Sequence, residues 1–357
     1  MKTLAIIGAS YLQQPLVEKA KSLGLRTICF SWEDGAVCKD ICDTFYPISI
    51  LEKEEILRIC RKEKIDGVCT IASDVAAPTV AYVAEKMGLI GNPYKIAVQA
   101  NNKYLMRQAF MKAGVPCPKF TCLQQDGPVD TNRLKNEGFR LPLIVKPSDR
   151  SGSLAVEKIE DWYQLQEAVD HARRVSFRHE AMVEEFIEGR EISVEFISYM
   201  STHYPLQITD KVTTGAPHFV ELAHHQPSTL TPAQYDEIYA ITAKALDALG
   251  VQNGASHSEY KITKDGRIAI MEIGARMGGD FIGSDLVWLS TGYDYLKGVI
   301  DVSLDQFRVP VVDPYFGRSS VVFTAPEDVR YSAQRTGYTI YSNDEIYKQS
   351  VDSNSDL

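Results

Sequence analysis

The sequence lacks any long apolar segment and any excess of positive charge. No apolar run approaches the roughly 20 residues that a membrane-spanning helix needs, which argues against a membrane protein. The short apolar run near the N-terminus ends in Gly8-Ala9-Ser10 and a strand–loop–helix pattern follows, so a signal peptide is not expected. The formal net charge is -9, whereas nucleic-acid-binding proteins present a basic face. We therefore expect neither a membrane nor a nucleic-acid partner.

The cysteines show no sign of a disulfide framework. All seven lie between Cys29 and Cys122, and an odd number clustered in one part of a large chain indicates reduced thiols. A zinc site at Cys38 and Cys42 is disfavoured, because no CxxC pair or neighbouring histidine completes a ligand set. We interpret the cysteines as small buried side chains and predict a cytoplasmic protein.

Strand and helix patterns alternate through the first ninety or so residues. The whole chain of 357 residues is too long for one core, so two or three lobes are expected. The βαβαβα order predicts a parallel sheet, and ligands bind such sheets at the carboxyl ends of the strands. Those ends are Gly8-Ala9-Ser10, the stretch after Trp32, and Ser73-Asp74. The first loop reads GASYLQ rather than GxGxxG, which disfavours a dinucleotide site.

Four further segments are predicted along the rest of the chain. A helix over 102–114 is ended by the prolines of VPCPKF. Strands and helices follow through about Ile187, and a second strand-rich stretch runs to about Gly283. A helix over 231–249 begins with Thr231 as N-cap and Pro232 at the first helical position. The final polar stretch, SVDSNSDL, is predicted to be disordered.

Two acidic residues fall opposite each other in a predicted β-hairpin. Asp265-Gly266 between two alternating runs predicts a two-residue turn, which pairs Ile262 with Ala269. In the same register Glu259 lies opposite Glu272. Facing carboxylates destabilise a sheet unless a positive group lies between them. Carboxylates with no cysteine or histidine between them in the sequence suit Mg²⁺ before Zn²⁺, so the hairpin is a candidate metal site.

Two other interpretations of the hairpin remain open. The register can slip by one residue, which would place one glutamate in solvent. The alternation of side chains also puts Gly274 and Arg276 on the face of Glu272, so Arg276 can form a plain salt bridge to Glu272.

Two segments upstream carry features of a phosphate or nucleotide site. Lys146 ends a predicted strand before the loop SDRSGS, and an ammonium group beside backbone N–H groups is a common way to hold phosphates. The serine, glycine and arginine content of 148–153, without an apolar anchor, predicts a mobile lid. Further on, Glu191, Ser193 and Glu195 share one strand face. Such alternating acids are usually solvated, although an acid at a bend also binds ribose hydroxyls.

Taken in order, these segments resemble the ATP-grasp superfamily over nearly the whole chain. In character they are nearest to L-amino-acid ligases and to members like the carbamoyl-phosphate-synthase large chain. The resemblance implies an α/β ATP-grasp fold with an N-terminal Rossmann-like domain on a parallel sheet, a small α+β lid lobe and a C-terminal α+β lobe with an antiparallel sheet. The implied boundaries are 1–92 for the N-terminal domain, 93–115 for linker helices, 116–187 for the lid subdomain and 188–357 for the C-terminal subdomain with its polar tail.

The resemblance also implies roles for individual residues. Lys103 and Lys146 match the nucleotide lysines of the family, and Glu259 and Glu272 match its two metal carboxylates. Arg276 matches the arginine that steadies the reacting phosphate or acyl group. The remaining residues matched to ATP binding are Ser151, Gly152 and Ser153 in the flexible loop, Glu184, Glu185 and Phe186 facing the adenine, Glu191 at the ribose, and Met271 under the adenine.

By the same resemblance, the expected activity is that of an ATP-dependent carboxylate–amine ligase acting on an amino acid. Such an enzyme converts a carboxylate to an acyl phosphate, which an amine attacks to give an amide, ADP and phosphate. The expected cofactors are ATP and one or two Mg²⁺ ions, with Mn²⁺ as a substitute, and a homodimer is the assembly considered. Lys211 is expected to contact phosphate or the substrate carboxylate. Glu221, His224 and His225 are candidates for the acceptor pocket, although adjacent histidines are more often ordinary polar residues.

One position departs from the family pattern, Glu-x-Asn-x-Arg, whose asparagine ligates a metal. Here Gly274 offers no side-chain oxygen. Either water or Asp280 fills the gap, or a second Mg²⁺ is held less tightly. Two alternative activities therefore stay open. They are a bicarbonate-using carboxylase or carbamoyl-phosphate-type enzyme, and an ATP-binding protein of low turnover.

Overall fold

Three β-sheets organise the protein in a computed structural model. The described residues are 1–124, 127–150, 152, 154–215, 220–313, 316–324 and 337–342. The predicted disordered tail and the loop residues Ser151 and Ser153 lie outside this part of the chain. Within it, no helix is both long enough and apolar enough to cross a membrane.

The N-terminal sheet is parallel, as predicted, with the strand order β3-β2-β1-β4. Residues Leu4–Ile7 are fully buried because helices cover both faces of this sheet. Gly24 follows the helix after β1, and its φ of +72° is the left-handed conformation predicted for it. The short strand β3 was not predicted. The elements are β1 (Thr3–Ile7), α1 (Gln14–Ser22), β2 (Arg26–Ser31), a 3₁₀ turn (Val37–Asp40), β3 (Thr44–Pro47), α2 (Lys53–Glu63), β4 (Gly67–Cys69) and α3 (Ala77–Met87).

Two helices lead from this sheet to a second, four-stranded antiparallel sheet with the order β5-β8-β6-β7. Asn102 caps the second of these helices by accepting a hydrogen bond from the Leu105 N–H at 2.9 Å. The elements are α4 (Tyr94–Ala100), α5 (Lys103–Ala113), β5 (Phe120–Leu123), α6 (Thr131–Asn136), β6 (Leu143–Pro147), β7 (Glu157–Ile159), a 3₁₀ turn (Trp162–Gln164), α7 (Leu165–Val175) and β8 (Ala181–Glu185).

The third sheet is antiparallel and has the order β13-β12-β9-β10-β11-β14-β15. Helix α8 begins as predicted, because Thr231 and Gln234 cap its first turn reciprocally and Pro232 follows Thr231. The three sheets together confirm the predicted fold class. The elements are β9 (Arg190–Tyr199), β10 (Thr202–Thr213), β11 (Glu221–Gln226), α8 (Pro232–Leu249), β12 (Gly254–Ile262), β13 (Ile268–Gly274), a π-helical turn (Ile282–Leu286), α9 (Val287–Thr291), α10 (Tyr295–Ser303), β14 (Ser319–Thr324) and β15 (Gly337–Tyr341).

Strands β12 and β13 form the predicted hairpin, and Glu259 pairs with Glu272. The predicted two-residue turn is wrong, because Ile262 pairs with Ile268 rather than with Ala269. The turn is wider, closed by a hydrogen bond from the Thr263 N–H to the Arg267 carbonyl at 3.0 Å. A bulge next to Glu259 adds one residue to β13 and restores the predicted pairing of the two glutamates.

Candidate active site

A cavity of about 410 Å³ is lined by residues of all three sheets and their loops. Every described residue that was matched to ATP, metal or phosphate binding lines this cavity, whereas the acceptor-pocket candidates His224 and His225 do not. The matched residues that line it are Lys103, Lys146, Gly152, Glu184, Glu185, Phe186, Glu191, Lys211, Glu259, Met271, Glu272 and Arg276. The predicted loop residues Ser151 and Ser153 lie outside the described residues.

The facing glutamates of β12 and β13 each have a lysine partner from another element. The Lys211 Nζ lies 2.7 Å from Glu259 Oε1, and the Lys103 Nζ donates to Glu272 Oε1 at 2.9 Å. The Lys211 ammonium group lowers the pKa of Glu259, so this carboxylate is ionised. Two carboxyl side chains that face one cavity provide the oxygen ligands that Mg²⁺ prefers, so the donor set fits this ion.

Lys146 belongs to a buried group of three charges. Glu184 lies between two bases, with its Oε1 2.9 Å from Arg107 Nε and its Oε2 2.5 Å from Lys146 Nζ. Burial opposes ionisation of Glu184, but Arg107 and Lys146 outweigh it and lower the pKa of the carboxyl group. Burial also lowers the pKa of Lys146, more than Glu184 raises it. Glu184 therefore holds Lys146 at the cavity wall. Its carboxylate is directed at Arg107 and Lys146, whereas the resemblance implied that this side chain faces the adenine.

Glu185 and Phe186 follow Glu184 and have different partners. The guanidinium of Arg267 binds both oxygens of Glu185, at 2.6 and 3.0 Å, near the protein surface. The ammonium of Lys158 lies 4.7 Å from the centroid of the Phe186 ring. With the Glu185 carboxylate occupied in this way, the backbone and the Phe186 ring are the groups of this segment that an adenine can use.

Glu191 is part of a row of charges across three neighbouring strands. It pairs with Lys211 of β10 and with Lys261 of β12. The Lys261 Nζ donates to Glu191 Oε1 at 2.8 Å. Because side chains opposite each other in a sheet lie close together, this register brings Glu191 to the cavity wall.

The loop after Lys146 is anchored at its first residues. Asp149 accepts hydrogen bonds from the N–H groups of Phe177 and Arg178 at 3.2 and 2.9 Å. The Arg150 guanidinium lies 3.5 Å from the centroid of the Phe177 ring, and the Arg150 carbonyl accepts a 2.6 Å hydrogen bond from Lys103. The loop 148–153 contains no apolar residue of its own, but Arg150 is held by an aromatic ring outside it.

Arg276 binds an acid of the N-terminal lobe rather than Glu272. Its Nη2 donates to Asp74 Oδ2 at 2.7 Å, and its Nη1 donates to the Met277 carbonyl at 3.2 Å. Burial disfavours both charged forms, but each group outweighs this for the other, so the pKa of Asp74 is lowered and that of Arg276 is raised. Asp74 lies on one of the predicted ligand-binding loops of the parallel sheet.

Two buried residues, Glu195 and His257, form a hydrogen-bonded pair beside Glu259 that was not predicted from the sequence. The carboxylate of Glu195 contacts His257 Nδ1 and accepts a 3.0 Å hydrogen bond from the Gly278 N–H. His257 Nε2 lies 3.4 Å from Glu259 Oε1. Burial lowers the pKa of His257, but Glu195 and Glu259 outweigh it and raise the pKa to about 9. The available signal was spacing, because His257 is two residues before Glu259 on the same strand face.

The acceptor-pocket candidates on strand β11 do not lie together: Glu221 and His224 contact each other, whereas His225 is in a different place. Lys211 Nζ lies 2.7 Å from Glu221 Oε1, and His224 Nε2 lies 2.9 Å from Glu221 Oε2. Asp280 completes a group with Glu221 and His224, in which the potential ligand atoms lie within 4.8 Å of one another. His225, next in the strand, is buried elsewhere, and burial lowers its pKa to about 4. Glu221 and Asp280 line the cavity.

Comparison with known proteins identifies part of the chain. The family model of the ATP-grasp domain matches residues 139–285. This segment, which is less than half of the chain, is therefore similar to an ATP-grasp domain. It contains most of the cavity residues, from Lys146 to Arg276, while Lys103 and Asp74 come from the chain before it.

The relatives of the chain include ligases. The alanine–anticapsin ligase of Bacillus subtilis (strain 168) is 29% identical over 248 residues, which are 63% of this chain and 51% of that protein. The carbamoyl phosphate synthase large chain of Campylobacter jejuni is 24% identical over 305 residues, 81% of this chain and 27% of that protein. The chain thus spans about half or less of the length of these two relatives.

The fold of the whole chain matches that of a solved structure. The crystal structure of an L-amino acid ligase from Bacillus licheniformis superposes with a TM-score of 0.83 at 23% sequence identity. The match covers 100% of this chain and 97% of that one. The N-terminal parallel sheet and the antiparallel lobes are therefore arranged as in that enzyme.

Proposed function

We propose that the protein is an ATP-dependent carboxylate–amine ligase that forms an acyl phosphate and then an amide bond, with an amino acid as a substrate. The observation that carries the proposal is the meeting of five charged residues in one cavity. These residues are Lys103, Lys146, Glu259, Glu272 and Arg276. Phosphoryl transfer needs charge neutralisation and positioning more than covalent help, and this set supplies both.

In the proposed first step, a carboxylate oxygen of the substrate attacks the γ-phosphorus of ATP and ADP leaves. Lys146 and Lys103 hold the triphosphate, and the planar guanidinium of Arg276 binds oxygens of the transferred group. Glu259 and Glu272 would hold Mg²⁺, which supplies neutralisation of phosphate charge when bound. Glu191, Met271 and the 184–186 segment would hold the nucleoside end.

In the proposed second step, the substrate ammonium group releases a proton to solvent and the resulting amine nitrogen attacks the acyl carbon. The bond from that carbon to the phosphate oxygen breaks, phosphate leaves, and the nitrogen gives up a second proton to the departing phosphate, which forms the amide. The wall of the cavity also contains the acids Glu221 and Asp280, which lie close to each other. A group of carboxylates suits an ammonium group, which is what an amino acid presents at neutral pH. The small-residue loop after Lys146 would exclude water from the acyl phosphate.

The test is ADP release from purified protein with MgATP, screened against the common amino acids singly and in pairs, with and without bicarbonate. A ligase releases ADP and phosphate with one amino acid or pair and forms a product whose mass equals the sum of the two substrates less one water. ADP release that needs bicarbonate would support the carboxylase or carbamoyl-phosphate-type alternative. Tight ATP binding without ADP release under every condition would support a binding protein and refute the ligase.

A further inference from the structure

The Arg276–Asp74 hydrogen bond joins two residues that are 202 positions apart in the sequence. Both side chains are largely buried, with 14% of Arg276 and 13% of Asp74 exposed. Besides this bond and the one to Met277, Arg276 presents its Nε, which is buried and donates no hydrogen bond to any described residue. This Nε lies against position 274, whereas the guanidinium as a whole lines the cavity, where its remaining N–H groups can donate to an oxygen atom of a ligand.

Gly274 is what allows Asp74 to approach. A Cβ atom built at position 274 would lie 2.6 Å from Asp74 Oδ1 and 3.2 Å from Arg276 Nε. The backbone of Gly274 does not have a positive φ, so the close approach of Asp74, not the conformation, requires glycine. Position 274 and Asp74 thus compete for one space beside the arginine.

The loop that carries Asp74 is itself fixed to the segment that follows Arg276. Ile71 forms a parallel bridge with Met277, and the Ala72 N–H donates to the Met277 carbonyl at 3.1 Å. Gln13 Nε2 donates to the Ile71 carbonyl at 2.8 Å, which holds the loop to the first turn of the N-terminal lobe. Asp74 is therefore presented to Arg276 by a rigid support.

We propose that Asp74 is a positioning residue for the reaction: it orients the Arg276 guanidinium toward the reacting oxygen, and Gly274 is a glycine because this pair occupies its side-chain space. The inference rests on the proposed function for the identity of that oxygen. It assigns to the N-terminal lobe a part in catalysis that the ATP-grasp segment lacks on its own.

The experiment compares Asp74→Ala, Asp74→Asn and Gly274→Ala with wild type in ADP release, MgATP binding and thermal unfolding, with a crystal structure of each variant. Removal of an orienting partner typically costs about 10–100-fold in activity, so Asp74→Ala should lower kcat by that factor and leave the ATP dissociation constant within about twofold. Asp74→Asn keeps an acceptor for Arg276 and should recover most of kcat. Gly274→Ala should resemble Asp74→Ala, because its methyl group displaces the carboxylate.

Two further variants complete the design. The double variant Asp74→Ala/Gly274→Ala should be no less active than the less active of the two single variants, because both changes break the same contact. Lys19→Ala is the matched control, since Lys19 forms another ion pair between the lobes, 2.9 Å from Asp294 and outside the cavity. Its kcat should equal that of wild type.

The results that overturn the proposal are specific. If Asp74→Ala lowers stability and ATP affinity in proportion while kcat per folded molecule is kept, Asp74 is structural only. Multiplying losses in the double variant would mean that the two positions act separately. If wild type releases no ADP with any amino acid, the ligase proposal fails. The crystal structures still decide the positioning role, because an unmoved Arg276 in Asp74→Ala refutes it.

Discussion

The buried charges around Glu184 allow a quantitative test in the absence of ligands. Its carboxylate is 1% exposed and lies between Arg107, which is 0% exposed, and Lys146, which is 9% exposed. Glu184→Gln keeps the shape of the side chain but leaves two buried cations without a counter-charge. Removing one partner of a buried ion pair costs about 3–5 kcal/mol, and we expect a loss of that size in the free energy of unfolding.

The pH dependence of this loss in the free energy of unfolding distinguishes the effect of Lys146 from that of Arg107. Lys146 already has a lowered pKa, and without Glu184 it can become neutral by releasing its proton. The Arg107 guanidinium cannot lose its charge in this way. The folded-state pKa of Lys146 then lies further below its unfolded value, so the unfolded state binds the extra proton and stability rises with pH. The deficit of Glu184→Gln relative to wild type should therefore shrink between neutral pH and the ordinary lysine pKa.

The assay is equilibrium unfolding in urea followed by the fluorescence of Trp162, which packs against the core of the four-stranded antiparallel lobe. The control is Glu185→Gln in the same strand, where the Glu185–Arg267 pair is 35% and 46% exposed. An exposed pair contributes about 0–1 kcal/mol, so this variant should stay close to wild type. Equal effects of the two substitutions, or a deficit that grows with pH, would refute the role given to Glu184.

Three further predictions follow from the cavity. Glu259→Gln and Glu272→Gln should each abolish Mg²⁺-dependent ADP release while circular dichroism stays unchanged, and full activity in both would exclude a shared ion. Without metal, stability contributed by His257 is present below its ordinary pKa of 6.5 and is lost as the pH rises through about 9; His257→Gln should flatten that decline in melting temperature. Arg276→Lys should lower kcat strongly with ATP affinity nearly unchanged, since a point charge cannot replace a planar fork of donors; a lower melting temperature with kcat kept would contradict this.

Much of the site was predictable because its residues lie on regular elements with simple periodicity. The alternation of side chains placed Glu259 and Glu272 on one face, and the pairing survived a wrong turn because a one-residue bulge cancelled a one-residue error. Similar spacing would have found Arg107, which is four residues after Lys103 on one helix face. These cases need only local geometry.

The partners of the charged residues could not be predicted in the same way. Lys103 belongs to a helix and reaches Glu272 across 169 positions of sequence, and Asp74 reaches Arg276 from a different lobe. Such contacts depend on how the lobes pack, about which periodicity carries no information. The missing side chain at Gly274 was visible in the sequence, but the carboxylate that takes its space was not.

The pairing of the charges explains how a sheet tolerates facing acids before any ligand binds. Glu259 shares Lys211 with Glu221, and Glu272 has Lys103, so each of the facing carboxylates already has a cation beside it. These bases come from β10 and α5, not from the hairpin, and they do not contribute to its register. A cation that binds between the glutamates must therefore compete with two lysines rather than fill a bare anionic site.

For this reason the apparent Mg²⁺ affinity of the nucleotide-free protein should be weak and should increase when a triphosphate gives Lys103 a new partner. Titration of Mn²⁺ by electron paramagnetic resonance, with and without ATP and with a protein-free ATP control, measures this coupling. Equal affinity of the protein site in both states would show that the lysines do not compete for the carboxylates.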